Sequence, residues 1–173
     1  MPKVVCNAAE NVLSYRYWIN VRQQRIIKKG LYIEMEIHEK LGQKFCSAPL
    51  GQWQLELAAK PMHGSLCLII AENLSDANEI QAQVFDLLSV GCRWFVFGGK
   101  HGELWQYYMS GLYRESQLDG EDAWLLFSKH CETAEEFAKD LSECVRARKF
   151  LPYDTVVLYD DRSAFEKALA LVE

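Results

Sequence analysis

Leu66-Cys67-Leu68-Ile69-Ile70-Ala71, followed after Glu72 by Asn73-Leu74-Ser75-Asp76, is the stretch whose reading decides the fold. An unbroken apolar run of this length, with no polar residue on alternate positions, is the pattern of a strand buried on both faces. Asp76 and Glu79 then have capping-box spacing, and Ile80, Val84, Leu87 and Leu88 recur along one helical face until Gly91 stops the helix. The unit is one strand and one helix.

The same layout recurs with strand starts at Trp94, Trp124 and Thr155, at spacings of 28, 30 and 31 residues. That is the length of a β-α unit. Trp94-Phe95-Val96-Phe97 leads through Gly98-Gly99 to a helix bearing Leu104, Tyr108 and Leu112. Trp124-Leu125-Leu126-Phe127 leads to Thr133, with Glu136 as its capping-box partner, and to Phe137, Leu141, Cys144 and Val145. Thr155-Val156-Val157-Leu158-Tyr159 leads through Asp160-Asp161 to Phe165, Leu169 and Val172. Four such units over residues 66–173 predict an α/β fold with an open, mostly parallel, Rossmann-like sheet and helices on both faces.

Residues 1–60 are less regular. Ala8 to Lys29 is helix-like, and its Tyr15, Trp18, Ile19, Arg22 and Ile26 fall on one face. Leu31 to Ile37 and Gln52 to Leu57 both alternate in polarity, with a turn-rich stretch from Gly42 to Gly51 between them. They predict an antiparallel hairpin at one edge of the sheet. The expected organisation is a single domain over 1–173, with residues 1–60 as N-terminal helix and hairpin and 61–173 as the β-α core.

Charge narrows the function classes. Residues 1–30 carry six Lys or Arg against Glu10 alone, +5, so with a net charge of −5 the rest of the chain carries −10. An acidic body argues against nucleic acid, whose non-specific binding depends on a basic surface, and favours a basic protein partner. The longest uncharged apolar stretch, Ser65 to Ala71, is far short of a membrane span, and the N-terminus has no apolar signal core. The expected location is the cytoplasm. Cys6, Cys46, Cys67, Cys92, Cys131 and Cys144 never form a C-x-x-C pair and read as reduced, mostly buried thiols.

Chemistry in such a sheet belongs to the loops at the strand carboxyl ends. Gly98-Gly99-Lys100-His101-Gly102 offers backbone N–H groups and a lysine to an anion, so Gly98, Gly99, Lys100 and Gly102 are the candidate ligand-binding residues. The glycine spacing fits neither a dinucleotide fingerprint nor a phosphate loop, and Glu103 would repel a phosphate. Cys131, ahead of a helix, with His101 as base and Asp160 as orienter would make a Cys-His hydrolase, although Glu132, Glu135 and Glu136 oppose a thiolate there. Asp160 or Asp161 also suits the cap of the last helix, with Arg162 pairing to either at the surface. His38, His63, His101 and His130 lack ligand spacing, so neither a metal nor a cofactor is expected.

Two function classes follow. The first is a non-catalytic module that binds a basic protein. Small cytoplasmic inhibitors and toxin-neutralising immunity proteins have this size and charge. The second is a small-molecule enzyme or ligand-binding protein that uses the strand-end loops. Each enzyme motif fails at a named position, which favours the first.

Overall fold

The structure, a computed structural model, describes residues 35–52, 66–89, 92, 94–116, 127–147 and 155–172, all within the unit Glu34–Glu173. The helix expected over 8–29 and the strand segments expected over 31–34, 53–57 and 124–126 lie outside these residues.

In chain order the elements are β1 (Glu36–Lys40), β2 (Gln43–Pro49), β3 (Leu66–Ile70), α1 (Ala77–Ser89) and β4 (Trp94–Gly98). They continue with α2 (Gly102–Ser116), β5 (Phe127–His130), α3 (Ala134–Ala147), β6 (Thr155–Tyr159) and α4 (Arg162–Ala170). The six strands form one sheet in the order β1-β2-β6-β3-β4-β5. Only β1 runs antiparallel to its neighbour. The fold is the expected α/β architecture.

Side-chain alternation divides the core into two layers. Cys67 and Ile69, Phe95 and Phe97, and Val156 and Leu158 face α1 and α2. Leu66, Leu68 and Ile70, with Val96, Val157 and Tyr159, face α3 and α4. β3 and β6 are buried at all five of their positions, which is why both read as continuous apolar runs. The chain steps from β3 through β4 to β5 in one direction with helices on one face. It then returns over the sheet to β6 by way of α3 on the other face. A right-handed crossover requires that change of face when the direction of travel reverses.

The hairpin needs a correction. Its second strand is Gln43–Pro49, inside the stretch read as turn, and it joins β1 through only Leu41 and Gly42. Both have positive φ, 55° and 68°, as the tight turn favoured in hairpins demands. Phe45 to Ala48 are all buried because β2 pairs with β1 on one side and β6 on the other. Gln, Ser and Pro within this strand hid it.

β5 needs another. It begins its described course at Phe127 and extends to His130, so Ser128, Lys129 and His130 lie in a strand rather than a loop. Among the described residues β5 pairs on one side only, and an edge strand tolerates such polar residues. The Gln106 side chain of α2 donates to the Ser128 carbonyl at 3.2 Å, occupying an acceptor on that edge.

Candidate functional site

The carboxyl ends of β3 and β6 are adjacent, and the chain leaves them toward opposite faces, to α1 and α4 respectively. Such a divergence is where a sheet of this kind opens a ligand crevice. Here Asp160 fills it. One carboxylate oxygen accepts from Glu72 N at 2.8 Å, and the other accepts from Asn73 N at 2.9 Å and Leu74 N at 2.6 Å. From the opposite side the buried Trp105 indole donates through Nε1 to the Leu74 carbonyl at 3.2 Å. The post-β3 loop is thus gripped by β6 and by α2, with a protein carboxylate where an anion could otherwise sit.

The glycine loop after β4 is also committed. Lys100 N points to Glu72 Oε2 at 3.4 Å, His101 N donates to the Ala71 carbonyl at 2.8 Å, and Gly102 N donates to the Gly99 carbonyl at 3.1 Å. Gly99 has φ +83°, and a β-carbon there would stand 2.7 Å from the Ala71 carbonyl oxygen. At Gly98 a β-carbon would lie 2.5 Å from the Phe137 ring, and at Gly102 it would lie 2.9 Å from the His130 ring. Each of these glycines therefore has a close packing neighbour. Lys100 lies exposed beside them.

Cys131, His101 and Asp160 are not joined by any hydrogen bond among the described residues. Cys131 is buried, and its Sγ lies 3.0 Å from Asp140 Oδ2 on α3. Asp140 also pairs with Lys129 Nζ at 2.7 Å. Burial, then the hydrogen bond to Asp140 and its charge, push the thiol up to about 12. A thiol so placed stays protonated at neutral pH. The backbone of His101 serves Ala71 and Trp105, and the carboxylate of Asp160 serves the post-β3 loop.

An open crevice of about 790 Å³ lies beside the locked loops, between the starts of α3 and α4. Its walls carry Glu72, Glu103, Glu132 and Asp161 against Lys100 and Lys167. Two helix N-termini adjoin it, each with a first-turn donor taken by its own cap. Glu136 N donates to Thr133 Oγ1 at 3.2 Å, and Glu132 N donates to the Glu136 carboxylate at 2.9 Å. Ala164 N donates to Asp161 Oδ1 at 2.9 Å, and this bond leads the causes that hold the Asp161 carboxyl below its ordinary range.

Sequence reading missed three partners. Asp140 is one, since nothing in its spacing joins α3 to Lys129 and Cys131. Glu72 is another. The third is Glu36: Arg162 does not pair with Asp160 or Asp161 but reaches Glu36 with both terminal nitrogens, at 2.8 and 3.2 Å, and Glu166 with Nε at 2.9 Å. Only Glu166, four residues along α4, had a legible spacing.

Among the described residues no group of three or more His, Cys, Asp or Glu is placed to hold a metal, and no helix is long and apolar enough to cross a membrane. Compared with known proteins, the chain matches no family model, no curated protein and no solved structure.

Proposed function

We propose that the chain is a non-catalytic binding module whose strand-end crevice receives a Lys or Arg side chain of a basic protein partner. One observation supports this reading above the others. Backbone donors on which a phosphate or oxyanion site would draw, at Glu72, Asn73 and Leu74 after β3, at Lys100, His101 and Gly102 after β4, and at Glu136 and Ala164 in the first turns of α3 and α4, are bonded to the chain's own carboxylates, hydroxyl or carbonyls. The exposed acids beside them, Glu103 and Glu132, have no such duty for their side chains among the described residues and remain for a cation. A protein partner that supplies a cation also suits the −10 carried by residues 31–173. Within this class the finer proposal is a small cytoplasmic inhibitor or toxin-neutralising immunity-type protein, which would silence its basic partner's activity. The alternative, a Cys-His hydrolase, has against it a thiol held protonated beside Asp140.

The test is co-purification of the full chain with a basic protein at equal stoichiometry, followed by a salt titration. The reading expects a complex that dissociates as salt rises and is lost in the Glu103→Lys/Glu132→Lys double variant. A complex indifferent to both changes overturns the choice of surface. Loss of a hydrolytic activity in Cys131→Ser and His101→Ala would overturn the choice of class.

A further inference from the structure

The β1–β2 hairpin meets α4 through a ladder of rings. His38 stacks on Phe45 with centroids 5.2 Å apart and meets the edge of Phe165 at 5.3 Å. Phe165 in turn stacks on Tyr159 at 4.8 Å. His38 Nε2 lies 2.8 Å from Ser47 Oγ, and Ser47 is wholly buried. Beside the ladder, Arg162 joins Glu36 of β1 to Glu166 of α4. His38 is therefore packed on a phenylalanine from each of the two elements, Phe45 of the hairpin and Phe165 of α4.

Its charged neighbours are Glu36 on its own strand, 3.9 Å from Nε2, and Arg162 on α4; Tyr159 at the end of β6 lies beyond Phe165, and Glu166 lies beyond Arg162. From β2 it meets Phe45 and Ser47, neither of which titrates in this range. Burial is the largest influence on its protonation and disfavours the cation; Arg162 acts in the same sense, and Glu36 partly offsets them. A group whose folded-state value lies below its unfolded one stabilises the closed arrangement above the unfolded value, about 6.5 for histidine, and loses that contribution as pH falls from there toward the folded value. The open state takes up the proton more readily than the closed one.

We infer that His38 is an acid-released latch: its neutral ring holds the hairpin against α4, and its protonation lets the two elements part. α4 also supplies Ser163, Ala164 and Lys167 to the wall of the crevice, so release would loosen that wall. The latch itself does not depend on the binding reading.

Amide hydrogen exchange of the full chain, with no partner present, tests it at about pH 8 and about pH 5, on either side of the unperturbed histidine value. After correction for intrinsic rates, protection of the amides in β1 and in the middle of α4 is expected to fall several-fold at the lower pH, while β3 and β4 hold theirs. His38→Phe keeps a ring but cannot titrate, and His38→Gln keeps a polar group that can reach Ser47, so either folded variant should lose the difference. Equal protection at both pH values in the parent chain overturns the latch, as does a difference that persists in a folded variant, because His38 would then not be its source.

Discussion

Two groups of carboxylates occupy the same edge of the sheet and differ in what they do. At its centre, Asp160 holds three consecutive backbone N–H groups, and Glu72 faces the next loop. On the rim of the adjoining crevice, Glu103 and Glu132 point into solvent. Composition alone makes both groups look like an acidic surface. The hydrogen bonds separate acids that hold backbone groups of the fold from acids whose side chains make no such bond among the described residues.

That contrast breaks if the central acid proves dispensable. Asp160→Ala leaves three N–H groups without their charged acceptor, and unfolding in denaturant should show a loss of about 3 kcal/mol. Gly99→Ala should cost about 2 kcal/mol in the same measurement, because it forces a side chain into a left-handed backbone and against the Ala71 carbonyl. Trp105→Phe keeps a ring in the core but abandons the Leu74 carbonyl, a change expected to lower stability by about 1 kcal/mol. The Glu103→Lys/Glu132→Lys variant should stay within about 0.5 kcal/mol of the parent while losing the partner. A large loss of stability in that variant would place the rim acids with the central ones and erase the distinction.

The strand-helix rhythm from Leu66 onward was legible because β3 and β6 are buried on both faces, and such strands write themselves as apolar runs. The helix caps at Asp76, Thr133 and Asp161 were legible for a related reason, since they act over a few residues. β2 was not, because its burial comes from pairing with β6, which lies more than a hundred residues later. β5 was read short because polar residues suit its exposed edge. The role of Asp160 is another contact at a distance: sequence places it at a strand end, while its partners belong to a loop 86 to 88 residues earlier. Which acids are already engaged depends on strand order, and an alternating α/β pattern leaves that order open.

Of the six described strands β6 comes last in chain order, yet it lies between β2 and β3 in the sheet. During synthesis the hairpin is therefore completed long before the strand that joins it to the rest has left the ribosome. Until then β2 has an open edge, β3 has another, and the 72–74 loop lacks the carboxylate that settles it. Insertion of β6 closes both edges, delivers Asp160 and positions α4 in one step. Ribosome-bound chains stopped before Thr155 should accordingly resist proteolysis far less than chains extended through Val172. The strand that completes the sheet also assembles the crevice, so a chain that lacks it has neither a finished sheet nor a finished crevice.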